Sequence, residues 1–307
     1  MMVAAAPRTS DRRHLLDVEG MAREEIERIL ATAAEMREGR AERAHRSLLG
    51  AETVGLAFYE ASTRTRISFE LAAKALGATV VDLRVDASSV EKGESLIDTA
   101  RTLERTGVTI LVLRHGSAGA PHLVARSTGL RVVNGGDGTH AHPTQALADA
   151  LTLREALGDL AGRLVAVVGD VVHSRVARSN LHCLLALGAR VRVAGPPAWV
   201  EGFDAWPGVE VATSLDEALR DADAVMALRA QLERGAQLPA ELASWRLDER
   251  RMGMARSGAP ILHPGPTNEG VELTAELANG ARSLIGRQVE NGVPIRMAVL
   301  AMLAGVA

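Results

Sequence analysis

Aromatic residues are scarce in this chain of 307 residues: three Phe, three Trp and one Tyr. Its core must therefore be aliphatic, built from Leu, Val, Ile and Ala. Cysteine is limited to Cys183, which excludes an internal disulfide or a cysteine-based zinc cluster and points to a reducing compartment. No apolar run reaches the roughly 18–20 residues that span a bilayer. The stretch Met1 to Arg13 lacks the apolar segment and small-residue cleavage site of a signal peptide, so a cytoplasmic location without membrane partners is expected. Excess positive charge is missing too. A net charge of -3 leaves no surplus of cations to track a phosphate backbone, which argues against a nucleic-acid partner. Lysine is nearly absent: of 35 basic side chains only Lys74 and Lys92 are lysines. A lysine placed in a polar, glycine-containing loop then stands out.

The length accommodates two domains of about 100–200 residues each. Hydrophobic residues at 47% and charged residues at 24% are ordinary for a soluble globular protein. Short β-rich runs alternate with helical stretches. Strands are predicted over 53–59, 79–85, 108–113 and 130–134, and helices over 65–76, 94–105, 121–127 and 142–157. The helix over 65–76 is expected to bury Ile67, Leu71, Ala72, Ala75 and Leu76. After a punctuated joint at 158–162, a second alternation follows. Its strands are 164–168, 190–194, 209–212, 224–227 and 260–262; its helices are 175–187, 215–220 and a terminal one at 293–304. The expected fold class is α/β: two consecutive α/β domains with parallel sheets, terminal helices packing together, and the active site in the cleft. The expected domains are 1–145 and 146–289, with 290–307 packing back on the first.

Polar clusters follow several predicted strands, where open α/β sheets bind ligands. Ser62-Thr63-Arg64-Thr65-Arg66 combines hydroxyls, guanidiniums and the N–H groups of a helix start, a suitable cradle for phosphate. Its alternative is a plain N-cap with exposed arginines. The loop Ser88-Ser89-Val90-Glu91-Lys92-Gly93-Glu94 offers an ammonium as a mobile point charge, or a solvated surface lysine. Arg114 follows an apolar strand directly. In the run Gly138 to Gln145, His142 and Gln145 face the same side of a helix start, where a neutral histidine donor is favoured. His140 and His142 could suggest a metal, but only Asp137 is near enough in sequence to complete a site, so none is expected. The segment from Gly169 to Arg175 occupies the position of a dinucleotide loop but lacks G-x-G-x-x-G, which leaves a dehydrogenase as an alternative class. Two later clusters are Arg229-Ala230-Gln231 and His263-Pro264-Gly265-Pro266.

In this order, over about 15–305, these segments resemble the carbamoyltransferase family. Ser62 to Arg66 with Ser68-Phe69-Glu70 matches its carbamoyl-phosphate signature, and His142-Pro143-Thr144-Gln145 matches its second motif. Ornithine-using relatives are expected to carry a cysteine where this chain has Thr144 and again where it has Pro264, and Arg229-x-Gln231 is similar to a clamp for a dicarboxylate. The resemblance therefore implies transfer of the carbamoyl group of carbamoyl phosphate to the amine of aspartate, an early step of pyrimidine biosynthesis, with no cofactor. Another amine such as ornithine, or a non-catalytic homologue, are the alternatives. It implies that Ser62, Thr63, Arg64 and Thr65 hold the phosphate with Arg114. Thr65, Arg114 and His142 would donate to the carbonyl oxygen. Gln145 and the carbonyls of Pro264 and Gly265 would hold the carbamoyl NH2, and Arg175, Arg229 and Gln231 the aspartate carboxylates. Lys92 would contact both substrates from a neighbouring subunit, which implies a homotrimer with shared active sites. Regulatory chains or a dihydroorotase are further partners in such a family. Glu60 and Glu233 would pair with Arg175, Arg229 or Arg234 on closure. One departure from the aspartate-type pattern is Glu269, where an arginine is usual.

Overall fold

A computed structural model describes residues 13–40, 44–83, 94–231, 242–268 and 270–307. They divide into two compact units, one formed by residues of 13–16, 27–135 and 293–307, the other by 17–26 and 136–292.

The first unit contains most of α1 (Arg23–Arg40), then β1 (Thr53–Phe58), α2 (Thr63–Ala75), β2 (Thr79–Leu83), α3 (Leu96–Arg105), β3 (Ile110–His115), α4 (Ala120–Ser127) and most of β4 (Arg131–Asp137). Its sheet has the order β2-β1-β3-β4, with β1 parallel to both neighbours. Leu15 adds a parallel bridge to Val133 on the far side of β4. As the scarcity of aromatics requires, the core is aliphatic: Ala57, Leu111, Leu113, Val124, Leu130 and Val132 pack together. Phe69 is the exception, fully buried, with the Arg296 guanidinium 5.1 Å from its ring centre. That ring also sets the inner face of α2. Thr65, Phe69, Ala72 and Ala73 are buried at helical spacing, followed by Leu76. Ile67 and Leu71, expected inside, are 43% and 44% exposed on the opposite side. Ala72 and Leu76 are buried as expected, whereas Ile67 and Leu71 lie off the inner face that Phe69 marks.

The second unit contains α5 (Pro143–Leu157), β5 (Leu164–Val168), α6 (Arg175–Ala186), β6 (Arg190–Ala194), α7 (Pro197–Val200), β7 (Val209–Ala212), α8 (Leu215–Leu219), β8 (Ala224–Ala227), α9 (Glu249–Met252), β9 (Ile261–Leu262) and α10 (Ala275–Asn279). The start of α11 (Ile285–Leu303) also belongs to it. The sheet order is β7-β6-β5-β8-β9 and every pairing is parallel. All five residues of β5 are buried, the continuous apolar run of a central parallel strand covered on both faces. Cys183 is buried in α6, where burial pushes its thiol up to about 12.

Two helices differ from expectation. The α1 helix was implied only as one of the terminal helices and given no range, although Ile26, Ile29, Leu30, Ala33 and Met36 form a buried stripe at spacings of three and four. The terminal helix begins at Ile285 rather than at 293 and runs through Pro294. Proline removes one backbone donor, yet the helix continues on both sides of it.

In both sheets the chain leaves a central strand in one direction and later returns to pair on its other side. The reversals lie between β1 and β3 and between β5 and β8. Loops diverge from such a pair at the carboxyl ends, opening a crevice without any special residue.

Candidate active site

In the first unit the phosphate candidates sit at this reversal. Ser62 is the N-cap of α2, directly after β1, yet its side chain makes no capping hydrogen bond. Ser95, Ser174, Ser214, Asp248 and Thr274, at the same position of other helices, all accept from a first-turn N–H. The Ser62 hydroxyl is thus left for another partner. Thr63 and Arg64 are exposed in the first turn and Thr65 is buried. Arg66 turns aside to pair with Asp82. Arg114 was expected beyond its strand; β3 extends through His115, so Arg114 is held in the ladder, opposite Phe58. Its guanidinium lies 3.5 Å from Glu60 and donates to the Gly135 carbonyl at 3.3 Å. Glu60, expected to await arginines of the second domain, is engaged with Arg114. Lys74 forms an ordinary helix-surface pair with Glu70. Lys92, Ser88, Ser89, Glu233, Arg234 and Glu269 lie outside the described residues.

In the second unit His142 is the buried N-cap of α5. Pro143, lacking an N–H, costs nothing at the first helical position. The His142 N–H donates to Ser179 Oγ at 2.9 Å, which fixes the helix start. Gln145 Nε2 donates to Asp149 Oδ1 at 2.8 Å. Arg175, 2% exposed at the start of α6, donates to the Gly138 carbonyl at 3.3 Å. His140 does not join His142 but sits between Asp137 at 3.0 Å and Asp17 at 3.2 Å. The hydrogen bond to Asp137, and then that to Asp17, raise its pKa to about 10.

The loops after β5 and β8 meet. Asp170, fully buried, accepts from the Gln231 N–H at 3.0 Å and the His173 N–H at 3.2 Å. Gln231 Nε2 donates to the Arg229 carbonyl at 3.1 Å. A Cβ on Gly169 would lie 2.3 Å from the Leu228 carbonyl oxygen, with φ at +127°. The glycine therefore admits the crossing of these loops.

The turn after β9 is stiffened from one histidine. The Gly265 N–H donates to His263 Nδ1 at 2.8 Å, so the ring proton resides on Nε2 and points to Glu272 Oε1 at 3.1 Å. The His263 N–H donates to Gln288 Oε1 at 2.8 Å, and the Gln288 Nε2 donates to the same Asp149 oxygen that holds Gln145. No described residue donates to the carbonyls of Pro264 and Gly265 or to Gln145 Oε1. A cavity of about 460 Å³ in this unit, lined by Asp17, His140, Arg178, His182 and Trp206, borders none of these residues.

The sequence matches two family models end to end: the carbamoyl-P binding domain of aspartate/ornithine carbamoyltransferase over residues 13–155, and its Asp/Orn binding domain over 161–303. The chain belongs to the aspartate/ornithine carbamoyltransferase family. Among similar relatives is an aspartate carbamoyltransferase catalytic subunit of Gluconacetobacter diazotrophicus, 50% identical over 98% of this chain and 96% of the relative. Another, from Myxococcus xanthus, is 52% identical over 94% of this chain and 98% of its own. The fold is similar to aspartate transcarbamoylase of Trypanosoma cruzi in complex with carbamoyl phosphate and aspartate (TM-score 0.86, 29% identity, 95% of each chain). It is similar to ornithine carbamoyltransferase of Thermus thermophilus to the same degree (TM-score 0.85, 30% identity, 96% and 99% of the chains).

Within this carbamoyltransferase frame, Asp149, Asp170, Ser179, Glu272 and Gln288 support the candidate residues and were not singled out as site residues from sequence. Asp149 and Asp170 carried a weak signal, as acidic residues inside otherwise apolar segments. Gln288 carried none.

Proposed function

We propose that the chain transfers the carbamoyl group of carbamoyl phosphate to the amine of L-aspartate, giving N-carbamoyl-L-aspartate and phosphate. The observation that carries this reading is the set of acceptors in the second unit: Gln145 Oε1 and the carbonyls of Pro264 and Gly265, to which no described residue donates. An amino group with two N–H donors is what such a set suits, and of the common acyl phosphates the carbamoyl ester supplies one. For the amine, the 50–52% identical relatives carry aspartate in their names. Threonine and proline replace the two cysteines expected of ornithine users, and Arg229 is a partner for a carboxylate rather than for an ammonium.

The reaction is acyl transfer without a covalent enzyme intermediate. The neutral amine attacks the carbonyl carbon, a tetrahedral oxyanion forms, and the C–O bond to phosphate breaks as the amine gives up one proton to the departing phosphate. Position and charge stabilisation carry the rate. Ser62, Thr63, Arg64, Thr65 and Arg114 hold the phosphate, the uncapped Ser62 hydroxyl among the donors. Thr65, Arg114 and His142 donate to the oxyanion, Gln145, Pro264 and Gly265 accept from the NH2, and Arg175, Arg229 and Gln231 bind the carboxylates.

The residue domain 1–145 carries the phosphate contacts and 146–289 the aspartate contacts, the latter also supplying the Pro264 and Gly265 carbonyls to the carbamoyl NH2. The protein acts in the cytoplasm as a homotrimer, with Lys92 completing a neighbouring subunit's site. A carbamoylation assay comparing aspartate, ornithine and putrescine tests the reaction, with mass from light scattering. Preference for ornithine would overturn the assignment, and a monomer would remove the shared site.

A further inference from the structure

We infer that Asp149 is a positioning residue that turns the Gln145 side-chain carbonyl toward the substrate, and so sets the preference for a carbamoyl group over other acyl groups; the inference rests on the reaction proposed above. Asp149 is fully buried in α5, one helical turn after Gln145. Its Oδ1 accepts from Gln145 Nε2 and from Gln288 Nε2, both at 2.8 Å, and its Oδ2 accepts from Asn180 Nδ2 at 2.9 Å. These three partners are neutral amides. Burying a carboxylate among amides is costly, and helix packing alone would be served by leucine.

What the carboxylate supplies is direction. A side-chain amide has a donor end and an acceptor end of nearly identical shape, and its neighbours decide which end points where. An ionised carboxylate only accepts. With Nε2 drawn to Asp149, Gln145 must present Oε1 away from it.

The second arm works in the same way. Gln288, its Nε2 drawn to the same oxygen, presents Oε1 to the His263 N–H at 2.8 Å. His263 opens the turn that carries the Pro264 and Gly265 carbonyls and holds the Gly265 N–H through Nδ1. One carboxyl group, accepting from both glutamine amides, therefore bears on all three acceptors assigned to the carbamoyl NH2. An amino group satisfies them; a methyl group in its place covers these half-buried acceptors and leaves them unpaired, the costly outcome.

The test compares two stable phosphonates that differ only at this position: phosphonoacetamide, which carries the NH2, and acetonylphosphonate, which carries CH3. Calorimetric Kd values are measured for the wild-type protein, Asp149→Asn, Gln145→Met and the double variant. The wild type should prefer the amide by about tenfold or more, the worth of one well-placed hydrogen bond. Asparagine offers a donor as readily as an acceptor, so Asp149→Asn should bring the preference close to unity, with acetonylphosphonate bound within about twofold of wild type. In the Gln145→Met background the same change should have a smaller effect on the ratio. Equal weakening of both ligands, or a preference that survives in Asp149→Asn, would overturn the positioning role. If Asp149→Asn does not fold, Gln288→Met keeps the charge and cuts only the arm to His263; it should lower the preference, and an unchanged ratio counts against the inference. Failure of the wild type to carbamoylate aspartate would instead defeat the proposed reaction, while the phosphonate ratio still decides the role of Asp149.

Discussion

The Gln231 N–H donates to Asp170 Oδ2 at 3.0 Å, joining the loop after β8 to the loop after β5. The same carboxylate holds His173, through its N–H at 3.2 Å and its Nδ1 at 2.8 Å. Asp170→Ala leaves the buried Gln231 donor without its acceptor, a penalty of about 1–3 kcal/mol. The expected outcome is a lower melting temperature and a raised KM for aspartate. The Kd of phosphonoacetamide should be unchanged. Kinetics and calorimetry on one preparation check this, and an unaltered aspartate KM would exclude Asp170 from organising the clamp.

Arg229 is assigned to an aspartate carboxylate. Its removal in Arg229→Ala should cost about 1.5–3 kcal/mol, a rise of roughly 10- to 150-fold in aspartate KM. Carbamoyl phosphate binding should hardly move. Steady-state kinetics with each substrate varied in turn separates the two, and a change confined to carbamoyl phosphate would put the residue in the other role.

His142 is assigned as a donor to the developing oxyanion. His142→Ala should lower kcat by about 10²–10³-fold, the loss found when one such donor is deleted elsewhere. The anchor between the residue 142 N–H and Ser179 Oγ belongs to the backbone and survives the substitution. The helix start therefore stays in place and the loss reports the side chain. Near-wild-type kcat would remove the histidine from the chemistry.

His140 supplies a pH dependence of stability. Its pKa is raised from 6.5 to about 10 by hydrogen bonds to Asp137 and Asp17. A folded value above the unfolded one means the contribution is complete below about pH 6.5 and is lost as pH rises toward 10. His140→Gln should therefore be less stable than wild type at pH 6, and the gap should narrow by pH 10. Urea denaturation at a series of pH values measures it. A gap that widens with pH would contradict the ion pairing.

Local sequence was enough for the alternation of strands and helices and for the segments at strand ends. Ser62 to Arg66, His142 to Gln145 and His263 to Pro266 are contiguous, and their turn, cap and proline signals act over a few residues. The same range explains the failures. Hydrophobicity could not show that Phe69 would draw α2 inward and leave Ile67 and Leu71 outside, because the facing strands select the stripe. The terminal helix, expected from 293, runs from Ile285 through Pro294. Part of the site's support is local, as between Gln145 and Asp149 one helical turn apart, but the ties between elements are tertiary. Asp149 meets Gln288 across 139 positions and Gln231 meets Asp170 across 61. A hydrogen bond needs two groups within about 3 Å, and no pattern along the chain records a distance that only folding creates. Residue type and local order were thus determined by the sequence itself. Which amide each buried carboxylate orients, and so which acceptors remain for a substrate, was decided when the sheets and helices packed.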